Sequence, residues 1–318
     1  MKKLFNKFTV ILMLIVLALG IAGCGNAQSI GEESSLENSA SSSSSGETKY
    51  PVKITGSFGT EVTLDKEPQK IISIAPNITE IIFKLGAGDK LVGRTDYCNY
   101  PPEAENVESI GTLRTPDIEK IIGLEPDLII ASTHFNGENA QKIEDAGIKV
   151  ISLYEESEVS GVYNTITTLG TALNKNDEAK ETVDNMKKTI EDVTASVKDL
   201  EEPTVYYVVG YGESGDFSAP ENSFVGGLIK LAGGKDIVPA SDSWSYSLES
   251  LLESDPYIIV VRDGEKEQFM STEGYNELTA VKEDRVYEID NNLIDRQGYR
   301  NAEGVLKLAE IFHPEAFK

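Results

Sequence analysis

The chain is poor in the side chains that carry most catalytic and metal chemistry. Among 318 residues there are two histidines, two cysteines and one tryptophan. Two histidines do not furnish the three or four converging ligands of a dedicated zinc or manganese site. Two cysteines, Cys24 and Cys98, make no disulfide framework. There is no Gly-x-Ser-x-Gly elbow, no Walker sequence, and no serine triad that so few histidines could complete. Positive charge is also scarce, at 29 basic against 53 acidic side chains, a formal net charge of −24. A field of that sign repels nucleic acid and anionic lipid and favours partners with basic patches. Long apolar runs are missing beyond the first residues, so the fold must be held by an internal core rather than by a bilayer or by cross-links.

The one apolar run, Thr9 to Leu19, follows Lys2, Lys3 and Lys7 and precedes the small residues Gly20 to Gly23 and then Cys24. A basic start, an apolar centre and a small-residue cleavage site make a secretory signal. Ile21-Ala22-Gly23-Cys24 resembles the bacterial lipobox, which implies cleavage before Cys24 and acylation of its thiol. Two or more acyl chains anchor a protein stably where one does so marginally. Without residues 1–23 the chain has 26 basic and 53 acidic side chains, a net charge near −27. Residues 24–50 are rich in Ser, Glu, Gly and Asn and read as a flexible tether with a reach of ~25–30 Å.

From Pro51 the pattern becomes α/β. Val52–Thr55 and Glu61–Leu64 predict a hairpin, and apolar strands follow at Lys70–Ile74, Leu91–Gly93, Leu128–Ala131 and Lys149–Leu153. A second set lies at Thr204–Val209, Ile258–Val261 and Val286–Ile289, with helical patterns between strands, as in parallel sheets. Two internal matches relate the halves. Phe83-Lys84-Leu85-Gly86-Ala87-Gly88 pairs with Ile229-Lys230-Leu231-Ala232-Gly233-Gly234 at an offset of 146. Glu119 to Ile130 pairs with Glu249 to Val260 at an offset of 130. The chain therefore reads as two related lobes, residues 51–176 and 201–318, and the first holds about 16 extra residues around Arg94 to Ser109. Between them, Ala179, Val183, Met186, Ile190, Val193, Val197 and Leu200 form a single apolar stripe on a helix predicted over 177–200. The fold class is α/β: two similar lobes with parallel sheets, one long connecting helix, and a ligand cleft between the lobes.

Four segments carry a resemblance to a known family: Ile74-Ala75-Pro76-Asn77-Ile78-Thr79-Glu80, Thr95-Asp96-Tyr97-Cys98-Asn99-Tyr100-Pro101-Pro102, Leu124-Glu125-Pro126-Asp127-Leu128-Ile129 and Trp244-Ser245-Tyr246-Ser247-Leu248-Glu249. They resemble the substrate-binding proteins of ABC importers with a single helical backbone, the group that handles cobalamin, ferric siderophores and haem. The Asp-Tyr-Cys-Asn-Tyr-Pro segment looks most like the cobalamin-binding members, although Leu113 falls where those often have an aromatic.

The resemblance implies a monomeric, lipid-anchored binder on the extracytoplasmic face. It would hold a corrinoid and no cofactor of its own, and its partners would be a permease dimer with a cytoplasmic ATPase. It points to Tyr97 in the first lobe and to Asn292, Leu293, Ile294, Asp295 and Arg296 in the second as ligand-binding residues, and it implies permease docking through Glu119 and Glu249. A corrin is a broad apolar disc fringed with amides and calls for aromatic faces with a few placed polar groups. Trp244, alone in a Ser-rich loop, fits such a wall. Cys98 reads as a packing residue ahead of a cobalt ligand, and His134, just past a strand end, as surface ahead of a ligand.

Three other readings remain open. A ferric siderophore or haem could replace the corrinoid, and an anionic siderophore would call on Arg94, Arg114, Arg262, Arg296 and Arg300. A chelatase-like enzyme would need an acid/base or metal cluster, and an adhesin would lack a deep cleft. Gly210-Tyr211-Gly212-Glu213-Ser214-Gly215 fits a dinucleotide fingerprint, but the following Asp216-Phe217-Ser218-Ala219-Pro220 does not open a helix, so it reads as a loop at the cleft.

Overall fold

Short apolar strands that alternate between two cores organise the molecule. The computed structural model describes residues 46–57, 59–132, 135, 137–154 and 158–318. The segment predicted as a signal, Cys24, the predicted tether up to residue 45, and His134 lie outside the described residues. No helix among the described residues is long and apolar enough to cross a membrane.

A hairpin of β1 (Val52–Thr55) and β2 (Glu61–Leu64) opens the described chain, with Val52 opposite Leu64. The first sheet contains β3 (Ile71–Ser73), β4 (Leu91–Arg94), β5 (Leu128–Ala131) and β6 (Lys149–Ser152), all parallel, in the order β4-β3-β5-β6. The second contains β7 (Thr204–Gly210), β9 (Lys235–Asp236), β10 (Ile258–Arg262) and β11 (Val286–Ile289), also parallel. There β10 and β11 continue from one side of β7, and β9 pairs with β7. A short antiparallel strand, β8 (Phe217–Ser218), also pairs with β7. Counted in chain order without β8, both sheets run second, first, third, fourth. The internal repeat is therefore a repeat of topology.

The helices around the first sheet are α1 (Pro76–Lys84), α2 (Ile118–Gly123), α3 (Gly137–Asp145) and α4 (Val159–Ala172), followed by the long α5 (Asn176–Val197). The second sheet has α6 (Phe224–Leu231), α7 (Leu248–Ser254), α8 (Lys266–Ser271), α9 (Thr279–Lys282), α10 (Asn292–Asp295) and α11 (Asn301–Phe312). A parallel sheet has two faces to cover, and alternation along each strand serves both. Ile71, Leu128 and Ile130 join one core, while Ile72, Ile129 and Ala131 join another. Val205, Tyr207, Ile258 and Val260 join the first of these, and Tyr206, Val208, Ile259 and Val261 a third. One apolar cluster thus runs through both lobes, with α4, α5 and α11 contributing to it, and each lobe has a private core on its outer face.

Helix α5 supplies the continuity. Ala179, Val183, Met186, Ile190, Val193 and Val197 are all buried in the shared cluster, and the helix packs on α4 of the first lobe and on α6 and α11 of the second. Its 22 residues span about 33 Å. It begins one residue before the predicted helix and ends three residues sooner, so Leu200 falls past the last turn and is exposed. Gly170 permits the tight approach of α4 to α5, because a Cβ there would sit 2.4 Å from Ala179 Cβ. Where the sequence predicts tether, residues 46–50 are hydrogen-bonded to this corner. Thr48 N donates to Asn174 Oδ1 at 2.7 Å, Tyr50 OH to Ala172 O at 3.0 Å, and Asn176 Nδ2 to Gly46 O at 2.7 Å. The polar groups of the α4–α5 turn need partners once buried, and this segment provides them.

One buried carboxyl has a thermodynamic signature. Asp236 Oδ1 accepts from Val238 N at 2.9 Å, but its buried Oδ2 finds no hydrogen-bond partner among the described residues. Burial, with the charge of Glu221 adding to it, pushes its pKa up to about 7. A carboxyl whose folded pKa is raised stabilises below its unfolded pKa, and that contribution is lost as pH rises through the folded value. Asp236→Asn is therefore expected to match the parent near pH 4. At pH 8 it should be more stable by about 1–3 kcal/mol. Thermal melts at both pH values test this, and an equal difference at both would contradict it.

Candidate functional site

Loops at the carboxyl ends of strands face each other across a cleft of about 370 Å³. From the first lobe come Ala75, Pro76 and Asn77 after β3, Leu113 after β4, Ser132 after β5 and Tyr154 after β6. The second lobe contributes Val209 at the end of β7, Phe224 and Val225 opening α6, Trp244 after β9, and Asp295, Arg296 and Gln297 after β11. Each sheet reverses its strand order beside its first strand, which is where open α/β sheets form crevices. The first turns of α1 and α6 sit on opposite walls, so the positive ends of two helix dipoles border the cleft. The rest of the lining is mostly apolar, as a site for a large apolar ligand requires.

Trp244 lines the cleft with 41% of its surface exposed. Its loop is held by local serine turns, Ser243 N to Ser241 Oγ at 3.0 Å and Ser245 N to Ser243 Oγ at 3.2 Å. Trp244 O also accepts from Ser218 N at 2.9 Å, tying the loop to β8. This is the local reason for a Ser-rich segment around the single tryptophan.

Asp295 and Arg296 reach the cleft from a stapled turn. Fully buried Asn301 donates from Nδ2 to Leu293 O and Arg296 O, both at 2.9 Å. Gly304 lets α11 pass close beneath, since a Cβ there would lie 2.5 Å from Leu293 O. Asp295 Oδ1 accepts from Tyr207 OH at 2.9 Å and its Oδ2 from Asn291 Nδ2 at 2.9 Å. Burial and the charge of Asp295 hold the Tyr207 hydroxyl well above its ordinary pKa.

The remaining predicted ligand residues are placed differently. Ile294 is buried in the shared core and Leu293 is also buried, so both anchor the turn. Asn292 bonds Asp290 at 2.7 Å. These side chains belong to the support of the turn because α10 turns its apolar face inward. Tyr97 is 63% exposed and does not line the cleft, but its carbonyl accepts from Arg296 Nη2 at 3.3 Å. Cys98 is buried, with Sγ 3.1 Å from both Thr79 Oγ1 and Thr95 Oγ1. His313 is also buried, its Nε2 3.0 Å from Gly233 O.

The five candidate arginines do not converge. Arg94 bonds the backbone of its own insertion at Thr95, Ala104 and Glu105. Arg262 lies 3.9 Å from Asp295, and Arg114 is exposed beside Leu113. Arg300 is buried against Glu80, and of the five only Arg296 lines the cleft. Glu80 itself, the last residue of the Ile-Ala-Pro-Asn-Ile-Thr-Glu segment, is 1% exposed, and nothing local in the sequence marks a helix glutamate as buried.

Glu119 and Glu249 occupy equivalent exposed places on the two lobes. Each is the second residue of its helix, and each helix is capped alike: Asp117 Oδ1 accepts from Lys120 N at 3.0 Å, and Ser247 Oγ from Ser250 N at 3.2 Å. Neither glutamate forms an ion pair with the described residues.

Known proteins resemble this chain in sequence and in fold. The chain is 32% identical over 313 residues to the ABC transporter substrate-binding lipoprotein YvrC of Bacillus subtilis, covering 96% of both. It is 26% identical over 279 residues to a cobalamin-binding protein of Halobacterium salinarum, with 83% of this chain and 74% of that one covered. The apo structure of the periplasmic heme-binding protein RhuT from Roseiflexus sp. superposes with a TM-score of 0.70 at 23% identity, covering 78% of this chain and 99% of that one. That likeness establishes the fold. Residues 71–293 match the sequence model of the periplasmic binding proteins, and the chain belongs to that family.

Proposed function

We propose that this protein is the substrate-binding lipoprotein of an ABC importer, anchored through Cys24 on the extracytoplasmic face, and that its cargo is a corrinoid of the cobalamin type. The observation that carries the ligand reading is the cleft itself. Apolar walls from Ala75, Leu113, Val209, Val225 and Trp244 meet a few fixed polar groups, chiefly Asn77, Asp295 and Arg296. A corrin offers two apolar faces and a fringe of amide donors and acceptors, and it needs that combination. The cobalamin-binding relative supports the same choice.

A second macrocycle, haem, has the same flat apolar faces, and an anionic ferric siderophore could use Arg296. Absorption of the protein purified from its native host separates the three, because corrin, haem and ferric siderophore colour it differently. Trp244, as the single tryptophan, reports occupancy through quenching. Cyanocobalamin is expected to quench it with one site of about micromolar affinity or tighter, and Trp244→Ala should weaken calorimetric binding about tenfold or more. Clear binding of hemin or a ferric siderophore, with no heat from any corrinoid, would replace the corrinoid reading.

Delivery requires a permease of two like subunits, and one carboxylate per lobe suits it. Glu119 and Glu249 are exposed, unpaired by the described residues, and away from the cleft lining. Facing arginines they would form charge-assisted pairs, and truncation of one side of such a pair costs about 2–5 kcal/mol. Glu119→Arg with Glu249→Arg is expected to leave ligand affinity unchanged and to abolish uptake into vesicles that contain the permease. Normal transport, or parallel loss of affinity and uptake, would reject this docking assignment.

A further inference from the structure

A buried charge network joins the lobes directly behind the cleft wall. Glu80, on α1 of the first lobe, is 1% exposed. Its Oε1 accepts from Arg296 Nη1 at 2.7 Å and Arg300 Nη2 at 2.8 Å, and its Oε2 accepts from Arg300 Nε at 2.8 Å. Both arginines belong to the second lobe. The grip of Arg300 is bidentate, which fixes geometry as well as adding strength. Other contacts follow the same seam: Asn77 Nδ2 donates to Gln297 O at 3.1 Å, Arg296 Nη2 to Tyr97 O at 3.3 Å, and the Arg300 guanidinium lies 4.1 Å from the centre of the Tyr100 ring.

We propose that Glu80 is a positioning residue for the ligand cleft: its carboxylate, held by Arg300, sets the separation of the lobes at the cleft and orients Arg296 toward the ligand. Arg296 connects the network to the site, since it both binds Glu80 and lines the cleft. A guanidinium has five N–H groups. Arg296 gives one to Glu80 and one to Tyr97 O, so three have no partner among the described residues and remain for acceptors on a ligand. Two cations share the Glu80 carboxylate, and Asp290 lies 3.7 Å from Arg300, so the four charges balance and neither arginine is left buried without a counter-charge. Burial opposes the charge of Arg300, but the hydrogen bonds and charge of Glu80 override it and hold its pKa above the ordinary value. The extra residues of the first lobe supply Tyr97 O and Tyr100, and so serve as an arm that closes the same seam.

The ligand half of this proposal rests on the cleft being the binding site, whereas the lobe-separation half does not. Spin labels at Lys142→Cys and Gln268→Cys, both exposed and one in each lobe, give the inter-lobe distance in the full chain by double electron–electron resonance. Glu80→Gln is expected to lengthen or broaden that distance without ligand and to weaken cyanocobalamin binding about tenfold. Arg300→Lys, which keeps the charge and loses the fork, should do the same to a smaller degree and serves if Glu80→Gln does not fold. Ile129→Val, in the private core of the first lobe, is the control for lost stability and should change neither reading. An unchanged distance in both Glu80→Gln and Arg300→Lys would overturn the proposal. A shifted distance with unaltered affinity would overturn the orienting of Arg296. If the parent protein binds none of cyanocobalamin, hemin and ferrichrome, the cleft reading falls while the distances still decide the lobe separation.

Discussion

A parallel sheet exposes two apolar faces, and here one face of each sheet is buried in a core that the two lobes share. That constraint governs the molecule. The inner faces of the two sheets drain into one continuous core through α4, α5 and α11. Because α5 packs on helices of both lobes, it cannot leave one without exposing apolar side chains of the other. The lobes are joined along a shared interior, and the cleft lies beside that packing. Large hinge opening would have to break this core.

The polar chemistry of the cleft is correspondingly economical. The two charged residues that line it are already engaged, Asp295 with Tyr207 and Asn291, and Arg296 with Glu80 and Tyr97 O. Fixed polar groups of this kind orient a ligand with little loss of side-chain freedom on binding. They also prevent a buried charge from standing alone when the cleft holds no ligand, which is the costly state for an ionised group in an apolar surround. The supports lie a layer deeper, in Asn301, Gly304 and the inward side chains of Leu293 and Ile294.

The repeat explains both the symmetry and its exception. Strand order, helix capping and the place of Glu119 and Glu249 agree between the lobes. The first lobe departs from this by the loop that leaves β4 at Arg94 and returns beside it at Ser109. Arg94 braces the loop from within by bonding three of its carbonyls. The loop then presents a backbone carbonyl and an aromatic ring to the arginines of the other lobe, which a symmetric duplicate would not do.

Much of this was legible in the residues themselves. Strand alternation, the spacing of apolar residues from Ala179 to Val197, and the two offset matches each depend on a period that local chain geometry imposes, and the strands, α5 and the repeated topology follow from them. Trp244 was visible as the single tryptophan in a serine-rich loop, and the Asp295–Arg296 turn only through the family resemblance. The two-residue strands β8 and β9 were not, because so short a segment carries no period. Nor was the difference between Asp295, which lines the cleft, and Leu293 and Ile294, which support it: neighbours in a tight turn differ only in direction, and direction is set by what packs beneath. The burial of Glu80 lay furthest from view. A carboxylate on a helix reads as solvated until its partners are known, and Arg296 and Arg300 are more than 200 residues away in the chain. Sequence by itself determined the periodic elements and their order; only the tertiary structure decided which charges meet, because desolvation and pairing depend on distance in space and leave no trace in local spacing.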